Sequence, residues 1–105
     1  MKGPAFFPEA LDEYEDAVVY YESCEEGLGT RLACEVDEAI ALVMELPEAA
    51  PEVANVPPQL GLRSVLLQSF PYKLVYVTRD ETLLIVAIFH IRRRPGFWTR
   101  RLKRR

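Results

Sequence analysis

The sequence has few of the residues that build metal centres and disulfide frameworks. Its 105 residues include 2 cysteines and 1 histidine. A structural zinc site takes four Cys or His ligands at short, regular spacings, and Cys24, Cys34 and His90 do not supply them. We therefore expect no metal, no cofactor, and two reduced thiols that are packed as small hydrophobic side chains.

Long apolar runs are also absent. Runs such as Leu83 to Phe89 are far shorter than the roughly 20 residues that span a membrane. The acids Glu9 and Asp12 come too early for a secretory signal, so we expect a cytoplasmic protein without membrane association. With 50% hydrophobic and 28% charged residues, we expect a single domain over residues 1–105, built on one core.

Acidic residues are missing from the end of the chain. Residues 82–105 carry eight basic side chains and no acid, whereas residues 1–52 carry fourteen acids against Lys2 and Arg31. The first segment therefore has a net charge of −12 and the last a net charge of +8, within a total of −3. This asymmetry predicts an acidic or polyanionic partner at the basic end.

Apolar residues recur at three- and four-residue spacing in two segments, which predicts two amphipathic helices. The first begins at Pro8 and runs for about 16 residues, and the second follows the break at residues 25–29 and ends at Pro47. Their short connection predicts an antiparallel hairpin, which leaves a disulfide between Cys24 and Cys34 geometrically possible. The stripes are Leu11, Tyr14, Val18 and Tyr21, followed by Leu32, Val36, Ile40, Val43 and Leu46.

The second half predicts a small sheet. Residues 62–68, 72–78 and 83–90 are rich in Val, Leu, Ile and Tyr and are joined by short turns, which favours an antiparallel meander. Residues 5–7 are a candidate first strand between two prolines, and residues 47–60 are a proline-rich surface loop. The predicted fold class is α+β, with the helical hairpin on one face of an antiparallel sheet, the other face partly open, and a basic C-terminal tail.

Several side chains near the C-terminus have both a functional and a structural interpretation. His90 suits general acid or base catalysis, or it ends a strand and bonds the start of the tail. Arg92 and Arg93 suit bidentate contacts with phosphate or carboxylate, and strand alternation sends them to opposite faces. Trp98 either stacks on a partner or caps the core. Arg63 either contacts a partner or pairs with a carboxylate across the sheet.

These residues also carry a family resemblance that covers nearly the whole chain. The chain resembles the RelE/ParE superfamily of toxins, particularly the branch called plasmid stabilisation proteins. The resemblance implies a helical hairpin on an antiparallel sheet. It also implies a toxin that forms an oligomer with a cognate antitoxin, which neutralises it. The matching elements are Pro8-Glu9-Ala10, Tyr20-Tyr21-Glu22, Gly27-Leu28-Gly29, Pro47, Arg63, Phe70-Pro71-Tyr72 with Tyr76, and His90 with Arg92, Arg93, Pro95 and Trp98.

The resemblance implies two mechanisms. RelE-like members cleave mRNA in the ribosomal A site, and Lys73, His90 and Arg93 are the candidate catalytic residues in that case. ParE-like members poison DNA gyrase. Ser64 and Leu66 stand where the ribonuclease pattern has lysines, which favours growth inhibition through a protein target such as gyrase over RNA cleavage. A third alternative is a non-toxic member that only binds its partner.

In each case the candidate residues for binding a partner or target are basic or aromatic. They are Arg63, Arg92, Arg93, Trp98, Arg100 and Arg101.

Overall fold

The computed structural model describes residues 1–104, with the side chain of Arg104 left out of the description. Over these residues the chain forms two α-helices and four strands. They are β1 (Lys2–Phe6), α1 (Pro8–Cys24), α2 (Leu28–Glu45), β2 (Arg63–Leu66), β3 (Tyr72–Arg79) and β4 (Thr82–His90). A short 3-10 helix, Pro58–Leu60, precedes β2, and the C-terminal 3-10 helix, Phe97–Arg104, follows β4.

The two predicted helices are confirmed. Pro8 occupies the first turn of α1, where its missing N–H leaves no hydrogen bond unmade. Gly27 caps the start of α2 with φ of 89°, a left-handed conformation that suits glycine. The Glu22 carboxylate accepts the N–H groups of Gly27 and Gly29, both at 2.9 Å. The helices approach each other closely at Gly29, where a Cβ would lie 2.5 Å from the Val18 carbonyl oxygen.

The sheet is mixed, with strand order β1-β4-β3-β2. Strands β2, β3 and β4 form the predicted antiparallel meander. Strand β1, however, pairs with β4 in parallel, so the expectation of a wholly antiparallel sheet is wrong at this edge. Strand β1 starts earlier than the strand expected at residues 5–7 and contains Pro4. The proline is tolerated because an edge strand has backbone groups that need no ladder partner.

The helical hairpin covers one face of the sheet. Leu32, Val36, Ile40 and Val43 of α2 are buried as expected, but Leu11 of α1 is exposed. Helix α1 is instead buried through its small side chains, Ala10 and Ala17. On the sheet side, Leu67, Leu74, Tyr76, Val86 and Ile88 are buried as expected, and Val65 and Leu84 are partly buried.

The two cysteines are free and exposed, so the expectation of packed thiols is wrong. Gly29 lies against Glu22 across the hairpin. Cys24 is farther toward the turn and Cys34 farther away from it, which separates them by about 10 Å along the helix axes. This exceeds the Cα separation of about 7 Å that a disulfide can bridge, so the suggested disulfide does not fit the fold.

Within residues 1–104, no helix combines the length and the apolar character needed to cross a membrane.

Candidate partner-binding site

A groove of about 960 Å³ runs over the sheet face that the helical hairpin leaves uncovered. Side chains of β3 alternate between the two faces. Tyr72 packs against Tyr21 of α1, with ring centroids 6.0 Å apart, so it lies on the helix side. Its neighbour Lys73 lines the groove together with Val75. The groove continues past the edge strand β2 to the end of α2 and to residues 49–56.

The floor of the groove is mainly apolar. Leu66, Lys73 and Phe89 lie side by side on β2, β3 and β4. Leu66 is 56% exposed and Ile91, which also lines the groove, is 49% exposed. Arg93 is the second cation of the lining. A surface with aliphatic side chains and two cations complements an amphipathic peptide segment that carries carboxylates.

The basic tail is folded against the sheet and forms one wall of this groove. Trp98 is 3% exposed, and Phe97 meets Phe89 edge to face with ring centroids 5.1 Å apart. The guanidinium of Arg93 lies 3.8 Å from the centroid of the Phe97 ring, a cation–π contact. Trp98 therefore caps the core and has little surface left for contact with a partner.

An ion pair fixes the middle of the tail. The carboxylate of Glu13 on α1 accepts two hydrogen bonds from the Arg101 guanidinium, at 2.9 and 2.8 Å. Glu13 also accepts the Ile88 N–H at 3.1 Å, and Arg101 donates to the Val86 carbonyl at 3.0 Å. The two side chains are only 15% and 11% exposed. We call this arrangement the Glu13–Arg101 clamp.

The clamp occupies a gap in the sheet. Strand β1 ends at Phe6, and the Phe7 N–H donates to the Ile85 carbonyl of β4 at 2.9 Å. The Val86 carbonyl and the Ile88 N–H lie just beyond that point. Because buried backbone groups need partners, the two charged side chains substitute for the missing strand. The sequence predicts partner binding for Arg101, and no pattern in it singles out Glu13.

The three candidate catalytic residues do not converge. Lys73 and Arg93 line the groove, but His90 pairs with Tyr72, which lies on the helix side. The His90 and Tyr72 rings contact each other edge to face at 5.5 Å. The Nδ1 atom of His90 accepts the Arg92 N–H at 3.1 Å, as expected for a histidine that ends a strand and bonds the start of the tail.

Arg63 holds the loop before β2 in place. Its guanidinium donates to the Ala50 carbonyl at 2.6 Å and lies 4.0 Å from the Glu52 carboxylate. Beside it, the Tyr76 hydroxyl donates to the Pro47 carbonyl at 2.7 Å, and burial raises the pKa of this tyrosine. These contacts favour the structural interpretation of Arg63. Arg92 and Arg100, by contrast, are exposed.

Comparison with known proteins shows similarity at the level of the fold. No known protein family matches the sequence, and no curated protein matches it. The structure resembles that of the isolated E. coli RelE toxin, with a TM-score of 0.64, 20% sequence identity, and coverage of 99% of this chain and 98% of that chain.

The structure also resembles a chain of the chromosomal ParDE TA system from P. aeruginosa. The TM-score is 0.60 and the sequence identity is 16%, over 86% of this chain and 96% of that chain. This protein therefore has the RelE/ParE toxin fold, as the resemblance predicted.

Proposed function

We propose that this protein is the toxin of a type II toxin–antitoxin system. It inhibits growth by binding a protein target such as DNA gyrase, and a cognate antitoxin neutralises it. The observation that carries this proposal is the composition of the groove: the fold is that of RelE and ParE toxins, but its open sheet face is mainly apolar.

The groove is poorly equipped to cleave RNA. Catalysis of phosphoryl transfer depends on cations and hydrogen-bond donors aimed at the charge that develops in the transition state, usually the largest catalytic contribution. Lys73 and Arg93 are the cations of the groove lining, and the residues on either side of Lys73 in the sheet are the apolar Leu66 and Phe89. His90 contacts Tyr72 on the other side of the sheet. These positions favour a protein target over an RNA substrate.

The antitoxin is the partner for which the groove is best suited. An antitoxin segment with alternating aliphatic and acidic residues would cover Leu66 and Ile91 and place carboxylates beside Lys73 and Arg93. Burial of the two aliphatic side chains supplies the affinity, and the cations align the segment. Binding there would also block the face that a target would otherwise contact.

Matched aspartate substitutions test this site. Leu66→Asp puts an unpaired carboxylate on the floor of the groove, whereas Val19→Asp makes the same kind of change on the outer face of α1, where Val19 is 68% exposed. The toxin should co-purify with a small protein encoded beside it. We expect Leu66→Asp to weaken that complex at least about 30-fold, the scale of an interface hot spot, and Val19→Asp to leave it unchanged.

Failure to find a neighbour-encoded partner would contradict the antitoxin assignment. Equal effects of the two substitutions would contradict the groove as its binding site. Circular dichroism of both purified variants separates loss of binding from loss of folding.

Cleavage of mRNA in the ribosomal A site remains the second candidate function, and it is favoured by the presence of both Lys73 and Arg93 in the groove. Three alanine substitutions distinguish the two mechanisms. If the target is a protein, His90→Ala should leave growth inhibition largely unchanged. If purified toxin cuts mRNA on ribosomes and Lys73→Ala or Arg93→Ala abolishes the cut, these residues are catalytic and the ribonuclease assignment replaces ours.

A further inference from the structure

The C-terminal segment presents a row of cations that the fold leaves without carboxylate partners. Arg92, Arg93 and Arg94 follow β4, and Arg100 and Lys103 lie on the C-terminal 3-10 helix, all with exposed side chains. We call these five residues the basic surface. Among residues 1–104, the ion pairs of the structure involve other cations, so none of the five is neutralised within the described part of the chain.

The 3-10 helix of the basic surface is packed on the rest of the fold. Buried Trp98 and the Glu13–Arg101 clamp hold the 3-10 helix against β4. Residues three apart eclipse each other in a 3-10 helix, so Arg100 and Lys103 lie on one side, about 6 Å apart along the axis. Phe97 is on the same side and carries the Arg93 guanidinium on its ring.

We propose that the basic surface binds the phosphate backbone of duplex DNA, without sequence specificity. Each strand of a duplex carries one phosphate about every 3.4 Å of helix axis, so a row of five exposed cations meets a comparable density of negative charge. Arginine forks also match phosphate geometry, and four of the five cations are arginines.

The aromatic residues of this segment decide between duplex and single-stranded nucleic acid. Binding of single strands relies on exposed aromatic rings on which bases stack. Here Trp98 is buried and Phe97 lies between Arg93 and Phe89. With no ring available for stacking, phosphate contacts are what the surface can make, and such contacts position a duplex without reading its sequence.

An acidic protein segment is a less suitable partner for the basic surface. Protein interfaces take most of their energy from buried aromatic and aliphatic anchors. The exposed apolar residue beside these cations, Ile91, belongs to the groove lining. The apolar anchors and most of the free cations therefore lie in different places, which assigns a protein segment to the groove and phosphates to the basic surface.

The salt dependence of DNA binding tests this proposal on the purified full-length toxin. Fluorescence anisotropy with a 30-base-pair duplex of arbitrary sequence would be measured between 50 and 200 mM KCl. If all five cations reach phosphates, the plot of log K against log salt has a slope of about −4.5, which corresponds to an affinity loss of roughly 500-fold over this range.

Charge-matched variants locate the contact. Arg100→Gln and Lys103→Gln should each reduce the slope by about 0.9 and weaken binding of all duplex sequences equally. Arg79→Gln removes the same charge from the last residue of β3, which pairs with Thr82 at the other end of β4 from the basic surface, and should leave the slope unchanged. The substituted side chains are not in the core, and circular dichroism confirms folding.

Several results would overturn the proposal. They are no binding at 50 mM KCl, an equal effect of Arg79→Gln, tighter binding of single-stranded DNA or RNA than of duplex DNA, or stronger competition by an acidic peptide than by duplex. The outcome is independent of the toxin's target, because the assay contains neither gyrase nor ribosomes. Growth inhibition without DNA binding would refute this inference and leave the proposed function intact.

Discussion

Removal of the Glu13 carboxylate should destabilise the protein far more than removal of an exposed carboxylate from the same helix, α1. In Glu13→Ala, the Arg101 guanidinium loses two hydrogen bonds and its counter-ion, and the Ile88 N–H loses its acceptor. Breaking a buried ion pair on one side costs about 3–5 kcal/mol. Because the two side chains retain 11% and 15% exposure, water can reach the orphaned charge, and we expect the lower end, about 3 kcal/mol.

Urea denaturation measures this loss of unfolding free energy directly. The substitution should also lower Tm by about 12 °C, since each kcal/mol shifts the Tm of a domain of this size by roughly 4 °C. A double-mutant cycle with Arg101→Ala isolates the pair, and we expect a coupling energy of at least about 1.5 kcal/mol. Glu15→Ala is the matched control, because Glu15 is an exposed acid on the same helix and its removal should change stability by less than about 0.5 kcal/mol.

A Glu13→Ala variant that is as stable as Glu15→Ala would refute this reasoning. The same holds for a coupling energy near zero, since it would mean that the clamp contributes nothing beyond what its two members do separately.

Two further predictions concern the helical hairpin. Gly29→Ala should destabilise the protein by about 1–3 kcal/mol in urea denaturation, although alanine favours helices, because the new Cβ would overlap the Val18 carbonyl oxygen at 2.5 Å; an unchanged or higher stability would show that the helices separate freely. The Glu22 carboxylate accepts a hydrogen bond from the N–H group of Gly27, the N-cap residue of α2, and this bond lowers the pKa of Glu22. The stabilisation that the bond provides is therefore present above the unfolded-state pKa and is lost as pH falls through the lowered folded-state pKa. The stabilities of wild type and Glu22→Gln should therefore differ at neutral pH and converge in acid, and a constant difference would contradict this.

The helices and the three antiparallel strands were predictable because their apolar residues follow regular local patterns along the chain. The apolar stripe of α2 and the runs of β-branched residues identify the hairpin and the meander. The parallel pairing of β1 was not predictable in this way, since it depends on how the chain returns to the sheet. Leu11 was assigned to the core by its spacing, but Ala10 and Ala17 bring α1 close to the sheet and leave Leu11 in solvent.

The candidate site was only partly predictable for a similar reason. Strand alternation indicates that neighbouring residues face opposite sides, but the separation of Lys73 from His90 follows from the register that pairs His90 with Tyr72. The role of Arg101 depends on Glu13, 88 residues away along the chain, and on the point at which β1 ends. No local pattern encodes such a contact.

The most direct test of the proposed function exposes purified toxin to its two candidate targets in parallel. One reaction contains DNA gyrase and supercoiled plasmid, and the other contains translating ribosomes whose mRNA is mapped by primer extension. We predict gyrase-dependent DNA breaks that the cognate antitoxin suppresses, while the ribosome-bound mRNA stays intact. Cleavage of mRNA in the A site, with gyrase unaffected, would contradict the proposal that this fold, with its mainly apolar groove, acts on a protein.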